Sequence, residues 1–292
     1  MNEEEAEVKV LISVDMEGIS GVVSRGETGA GGAPGMPRGD DYERARAWMT
    51  ADANAAIEGA FQGGGSHVVV ADSHGPMRNL VFDGLDPRAE LVRGGWNRPL
   101  FTVEGLDKTF AAVFLVGYHA RAGDARGILA HTYSGASFAA VRINGEPISE
   151  AMFSAGLAGH HGVPVALVTG DDVICADTKV HLPHVETAVV KYAIDRYAAR
   201  CLPQPIAHQR IREGARRALE RIGEMKPFRF ATPIKLEVET IDASAAARIC
   251  FIPQMKREAE NVATYHAQDV QEAHAMFIAC MMLALTTSTL GR

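Results

Sequence analysis

Two acidic residues directly follow the first apolar segment of the chain. Val8 to Val14 is rich in β-branched residues, and Asp15 and Glu17 come immediately after it. Side chains two positions apart on an extended chain point to the same side, so both carboxylates can converge on one point. Converging anions favour binding of a cation, whereas an isolated D-x-E is more commonly a turn cap beside a solvated acid.

Histidines after two further apolar segments enlarge this acidic set. His74 follows the segment 67–72, His119 follows the segment 111–116, and Glu150 opens a helical pattern. In open parallel sheets, sites form at the carboxyl ends of the strands. We therefore expect these side chains to lie together at one edge of a sheet.

The residue types in this set indicate metal chemistry. The candidate ligands are Asp15, Glu17, His74, His119 and Glu150. Carboxylates and imidazoles without thiolates are typical of catalytic zinc or manganese sites. Five ligands suit two ions if one carboxylate bridges them, and Asp15 is the predicted bridge because it lies centrally on a rigid strand. Each ion then keeps an open position for water, and His131 is free to act as acid, base or nucleophile.

Three aspartates at strand ends are candidates for a supporting role. Asp72, Asp171 and Asp172 are predicted to orient the ligating imidazoles. The remaining histidines do not fit the strand-end pattern, and we expect them to be structural or exposed.

The elements that must position these residues alternate between strands and helices. Segments 8–14, 67–72, 111–116 and 163–168 are predicted strands, and a helix is predicted from Asp40 or Asp41 to Phe61. This order predicts an α/β fold with a mostly parallel central sheet flanked by helices. The glycine-rich segment Ser24 to Gly39 is predicted to be a mobile loop. A hairpin is predicted at Asn144-Gly145, followed by a helix from Glu150 to about Ala158.

The pattern changes from Cys201 onward. Helices are predicted over 208–225 and 269–285, and strands over 234–240 and 261–267. Such a segregated order is typical of a smaller α+β unit. We therefore predict an α/β catalytic domain of residues 1–200 and a smaller α+β domain of residues 201–292.

Composition excludes several classes of protein. The chain has 292 residues, of which 47% are hydrophobic and 22% charged, as in ordinary globular enzymes. Its formal net charge of -7 argues against a broad nucleic-acid-binding surface. The sequence has neither a secretory signal pattern nor an apolar run that could span a bilayer, and its four cysteines are widely separated. We expect a cytoplasmic enzyme that binds neither nucleic acid nor membrane.

The chain resembles the DppA-like zinc-dependent D-aminopeptidase family in several segments that occur in the same order. These segments are Ser13 to Gly21, Asp72-Ser73-His74, Val103 to Asp107, Gly117 to Ala122, and Gly170-Asp171-Asp172. The resemblance implies that two zinc ions are bound by the same five candidate ligands and that His131 is the catalytic histidine.

The resemblance also implies an activity and an assembly. It implies an α/β metallopeptidase that removes N-terminal D-residues, especially D-Ala, from short peptides and amides. It further implies a homodecamer of two pentameric rings with the active sites facing an internal chamber.

Two other functions are compatible with parts of the pattern. A binuclear metallophosphoesterase also uses D-x-H and G-D-D strings, but its first strand is expected to end in D-x-H rather than in Asp15-Met16-Glu17. A non-catalytic peptide-binding component of a transport system is the alternative outside enzymes. Converging carboxylates are a poor means of holding a neutral peptide, and they disfavour this alternative.

Overall fold

The computed structural model describes residues 7–29, 39–95 and 97–286, which form two sheets covered by helices. The strands are β1 (Lys9–Val14), β2 (His67–Asp72), β3 (Ala89–Val92), β4 (Phe110–Tyr118), β5 (Phe138–Ile143), β6 (Glu146–Pro147), β7 (Val165–Asp171), β8 (Glu186–Asp195), β9 (Ala198–Cys201), β10 (Ile234–Thr240), β11 (Lys256–Ala259) and β12 (Val262–Ala267). The helices are α1 (Arg25–Thr28), α2 (Asp40–Gln62), α3 (Glu150–His160), α4 (Asp172–His181), α5 (Gln204–Glu220), α6 (Ala243–Ile249) and α7 (Val270–Leu285).

The larger sheet has seven strands in the order β3-β2-β1-β4-β7-β8-β9. All neighbouring pairs are parallel except β8 and β9, so the predicted α/β fold with a mostly parallel central sheet is confirmed. Its central strands are apolar on both faces because both faces are covered. Alternate residues of β1 therefore enter two different cores, Leu11 in one and Val10, Ile12 and Val14 in the other.

The smaller sheet is antiparallel, with the order β11-β12-β10-β5-β6. Strand β10 alternates buried and half-buried residues, as its sequence predicts. This sheet, together with α3 and α7, encloses the core on one face of the larger sheet. Helices α2 and α5 pack against each other and cover the opposite face.

The division of the chain at residue 200 stays a prediction, and the sheets do not follow it. Strands β5 and β6 precede that position but belong to the smaller sheet. Helix α5 follows it but packs on the larger sheet with α2. The chain therefore crosses between the two layers in both directions.

Two local predictions need correction. Part of the segment predicted as a loop, residues 25–28, forms α1, which begins with a capping box between Ser24 and Glu27. Residues 30–38 of that segment lie outside the described residues. Helix α2 has Gly39 rather than an aspartate as its N-cap, and Asp40 and Asp41 lie in its first turn, where carboxylates stabilise the positive end of a helix.

Across the described parts of the chain, the helices are too short or too polar to cross a membrane.

Candidate active site

The five predicted ligands meet at the carboxyl edge of the larger sheet. Asp15 and Glu17 follow β1, His74 follows β2, His119 follows β4, and Glu150 is the first residue of α3. Each of these residues has an exposure of 6% or less. Side chains that are up to 135 positions apart in the sequence thus share one buried site.

Asp15 lies at the centre of this site. Its Oδ1 is 3.1 Å from Nδ1 of His74, and its Oδ2 is 3.3 Å from Nε2 of His119. Glu17 Oε2 lies 2.9 Å from the same nitrogen of His74, and Glu150 Oε1 lies 3.2 Å from the same nitrogen of His119. The site therefore consists of two groups of carboxylate and imidazole that have Asp15 in common.

Two glycines allow the strand ends that carry these residues to approach. The amide of Gly18 donates to the carbonyl of Gly117 at 2.7 Å. A Cβ on Gly18 would lie 1.8 Å from the carbonyl oxygen of Tyr118, and a Cβ on Gly117 would lie 2.4 Å from that of Asp15. Gly117 also has a φ of 74°, which favours glycine. The contact between Asp15 and His119 therefore depends on a backbone approach that other residues would prevent.

Backbone carbonyls orient the two imidazoles that are predicted to be ligands. Nε2 of His74 lies 2.9 Å from the carbonyl oxygen of Thr28, and Nδ1 of His119 lies 3.0 Å from that of Ala120. A ring nitrogen beside a carbonyl must carry the proton, so the other nitrogen of each neutral ring presents a lone pair to the carboxylates.

The prediction that Asp72, Asp171 and Asp172 orient these imidazoles is wrong. Asp72 accepts hydrogen bonds from the amides of Asn79 and Leu80. Asp171 caps α4 and accepts from the amide of Ile128, and Asp172 accepts from the amide of Ala193. These carboxylates instead accept hydrogen bonds from backbone amides of loops, of α4 and of β8. The position of an aspartate at a strand end does not by itself show which of these partners it has.

A buried lysine that the sequence analysis missed supports the turn after β1. Lys191 of β8 is fully buried, and its Nζ donates to the carbonyls of Glu17 at 2.6 Å, Ile19 at 2.9 Å and Val22 at 2.6 Å. All three ammonium protons therefore have acceptors on the segment that carries Glu17. A lysine within an otherwise apolar stretch of a strand was the only signal in the sequence.

His131 stacks on His119 next to both groups of predicted ligands. The two rings have their centroids 4.2 Å apart and are inclined by 6°. Nδ1 of His131 lies 2.8 Å from the carbonyl oxygen of Leu129, which leaves Nε2 unprotonated at 3.7 Å from Glu150 Oε1 and 4.0 Å from Glu17 Oε1. Leu129 and Tyr133 on either side have φ values of 50° and 58°, so His131 is presented by a strained loop.

The electrostatics of the site separate His131 from the other two histidines. Burial opposes protonation of His74, but Glu17 and Asp15 outweigh it and hold the pKa of His74 well above its ordinary value. Burial likewise opposes protonation of His119, and Asp15 and Glu150 raise its pKa. Burial and the neighbouring His119 lower the pKa of His131. His131 is therefore the imidazole that the site keeps neutral.

The residues present fit zinc. Asp15 Oδ2, Glu17 Oε2 and His119 Nε2 are buried and have no hydrogen-bond partner within the described residues. Lone pairs of nitrogen and carboxylate oxygen that face each other at about 3 Å need a positive charge between them. Oxygen and imidazole donors are suitable zinc ligands. Two sets of ligand atoms each lie within 4.8 Å of one another, one from Asp15, Glu17 and His119, and the other from His119, His131 and Glu150. These sets share His119 and include His131, whereas His74 contacts Asp15 and Glu17 separately.

Comparison with known proteins gives consistent matches over nearly the whole chain. A family model for Peptidase M55, described as D-aminopeptidase, matches residues 8–279. A D-aminopeptidase from Bacillus subtilis (strain 168) is 34% identical over 285 residues, which cover 96% of this chain and 99% of that protein. The solved structure of the Zn-dependent D-aminopeptidase DppA from Bacillus subtilis, described as a self-compartmentalizing protease, superposes with a TM-score of 0.88. It has 33% sequence identity and covers 95% of this chain and 98% of that one.

Proposed function

The chain belongs to the M55 family of D-aminopeptidases, and from this premise we propose that it is a zinc-dependent enzyme that removes N-terminal D-residues, preferably D-Ala, from short peptides and amides. One observation carries the proposal: two groups of carboxylate and imidazole share Asp15 beside a neutral histidine. This arrangement supplies the parts that hydrolysis of a peptide bond needs.

Two zinc ions are proposed to bind at this site. The proposed ligands are Asp15, Glu17, His74, His119 and Glu150, with Asp15 as the shared residue. When bound, zinc polarises the scissile carbonyl and lowers the pKa of water. The buried carboxylates that raise the pKa values of His74 and His119 also favour binding of cations in the same positions.

His131 is proposed to be the catalytic histidine. The carbonyl of Leu129 holds the proton on Nδ1, so the lone pair of Nε2 faces the site. A lowered pKa keeps this nitrogen available to accept a proton and to transfer it to the leaving amine, or to attack the carbonyl directly. His131 also has an 18% exposed side chain, which leaves it accessible to a substrate.

An assembly and a location are part of the proposal. A relative that covers almost the whole chain is described as self-compartmentalizing. We propose that this chain likewise forms a homodecamer of two pentameric rings, that its sites face an internal chamber, and that it works in the cytoplasm.

The His131→Ala variant tests the proposed catalysis. The purified protein is expected to contain two zinc ions per chain and to release D-Ala from a D-Ala dipeptide faster than L-Ala from the L-isomer. Loss of a general acid and base typically costs about 10²–10⁴-fold in rate, so His131→Ala is expected to lose at least about 100-fold in kcat with unchanged zinc content. His266→Ala, at an exposed position on β12, is the matched control and is expected to keep full activity.

Two outcomes would contradict the proposal. Normal turnover by His131→Ala would remove the role of this residue. Failure of the zinc-loaded protein to release any D-amino acid, together with hydrolysis of phosphate esters, would favour a phosphoesterase instead.

A further inference from the structure

A small cavity lies beside His131, and we propose that it binds the leaving part of the peptide and that Arg196 recognises its free carboxylate. The cavity has a volume of about 150 Å³, and His131 forms part of its wall, whereas none of the five proposed metal ligands does. The inference rests on the proposed function, because the position of the scissile bond is taken from the proposed role of His131.

The size of the cavity selects a small residue. Phe138 and Ile241 provide apolar walls, and residues such as Ala130 and Gly135 leave the space between them open. Pockets for drug-sized ligands begin at roughly 300 Å³, so this cavity suits a single amino acid with a small side chain. The leaving group is therefore one glycine or alanine residue rather than a long peptide.

Arg196 contributes an uncompensated positive charge to this cavity. It lies in the turn between β8 and β9, and its Nη2 donates to the carbonyl of Ala130 at 2.8 Å. Its Nε is buried without a hydrogen-bond partner, and its guanidinium carbon lies 5.7 Å from the centroid of the Tyr197 ring. Within the described residues, Arg196 forms no ion pair. A guanidinium offers five donors in a planar fork that matches a carboxylate. Arg196 therefore gives the cavity wall a positive charge that suits an anionic group.

A second arginine approaches the same wall. A Cβ added to Gly135, which lines the cavity, would lie 3.3 Å from Nη2 of Arg25. Two guanidinium groups near one small cavity disfavour a substrate ammonium group there and favour a carboxylate.

The positive charge of Arg196 sets the direction in which a peptide binds. Arg196 lines the cavity, whereas the proposed metal ligands Glu17 and Glu150 lie outside it, close to Nε2 of His131. A short peptide is itself dipolar, with an ammonium group at one end and a carboxylate at the other. Its leaving residue would enter the cavity with the carboxylate toward Arg196, so a dipeptide is the preferred substrate length.

Two substrates that differ only in charge test the inference. The wild-type enzyme is compared on D-Ala-Gly and on D-Ala-Gly-amide, which has no carboxylate. Wild-type kcat/KM is expected to be at least about 10-fold higher for the free acid, since a charge-assisted hydrogen bond typically contributes 10- to 100-fold. The Arg196→Gln variant is expected to lose this advantage through a higher KM, and its activity on the amide is expected to stay within about 3-fold of wild type. Arg196→Lys should restore part of the preference because it keeps the charge.

The controls separate carboxylate recognition from support of the loop. Arg200→Gln changes an exposed arginine on β9 and is expected to keep the wild-type preference. An equal loss by Arg196→Gln on both substrates would overturn the inference and assign Arg196 to support of the loop through Ala130. Equal wild-type activity on both substrates would overturn it without any variant. Absence of wild-type activity on both substrates would instead contradict the proposed function.

Discussion

At the scale of single residues, His274 is a titratable group that the fold keeps neutral. It is fully buried on α7, and its ring lies 5.0 Å from that of Phe153 and 6.1 Å from that of Tyr133 between centroids. Nε2 lies 3.3 Å from the hydroxyl of Tyr133. Burial lowers the pKa of His274 to about 4. The imidazole therefore resists protonation in the folded protein more than in the unfolded chain.

This difference predicts a loss of stability in acid. An ordinary pKa of 6.5 in the unfolded chain means that the unfolded state binds the proton first. The stabilisation is fully present above pH 6.5 and is lost as the pH falls toward 4, by about 3 kcal/mol in the free energy of unfolding. The His274→Phe variant is expected to show a smaller decrease between pH 6.5 and 4 in urea unfolding.

The measurement needs two controls. Both proteins are unfolded in the presence of a chelator, so that release of metal contributes nothing to the slope. His266→Phe removes an exposed histidine and is expected to keep the wild-type slope. Equal slopes for wild type and His274→Phe would show that His274 does not contribute.

The candidate ligands could be predicted because each lies at an end of a regular element: four of them follow strands, and Glu150 begins α3. Asp15 and His119, 104 positions apart, lie 3.3 Å from each other, since adjacent parallel strands end at the same edge. Lys191 and Arg196 could not be predicted in the same way. Their partners are backbone carbonyls of distant turns, and the residue sequence does not specify which carbonyls a turn exposes.

At the scale of elements, β8 holds the turn that follows β1. Strands β8 and β1 are separated by β7 and β4 in the sheet, yet Lys191 reaches across to three carbonyls of residues 17–22. Asp52 of α2 binds the same turn through the amide of Ser20 at 2.8 Å and its hydroxyl at 2.7 Å. The position of Glu17 is thus fixed from the sheet and from a covering helix.

Replacement of Lys191 by methionine is expected to loosen this turn. The Lys191→Met variant keeps the apolar stem but leaves buried carbonyls without a donor, at a cost of about 3 kcal/mol in the free energy of unfolding. Less zinc should also be retained after dialysis, because Glu17 lies on this turn. Urea unfolding and metal analysis measure the two effects. Lys179→Met, at an exposed position in the last turn of α4, is the control, and an equal result for both variants would contradict the proposed support.

Local patterns predicted individual elements better than their pairing. The alternation of β10 could be recognised because this strand has one apolar face, and α7 could be recognised as a long, largely apolar run. The pairing of β5 with β10 joins residues almost 100 positions apart, and Arg142 forms ion pairs with Glu237 and Glu239 across it. No local period encodes such a contact, so the prediction of a separate C-terminal unit did not include β5 and β6.

At the scale of the whole molecule, the exposed apolar residues are large and lie on several elements. Phe251 is 80% exposed, Ile194 72% and Phe82 63%. Single exposed apolar side chains that lie apart are normal on a protein surface, whereas contiguous apolar patches mark contacts with other chains. The proposed assembly requires such contact surfaces, because each chain in a ring contacts more than one neighbour.

The proposed assembly predicts both a mass and a limit on substrate size. Light scattering is expected to give a mass close to ten times the 31.3 kDa of one chain. If the sites face an internal chamber, the assembly should hydrolyse D-Ala dipeptides but leave a folded protein with an N-terminal D-Ala intact, because only small substrates can enter. As a control, the same protein is unfolded and digested to short peptides. Release of its N-terminal D-Ala is then expected, which shows that the bond itself can be cleaved. Full dipeptide hydrolysis by a species with the mass of one chain would contradict the chamber, since one chain cannot enclose its own site.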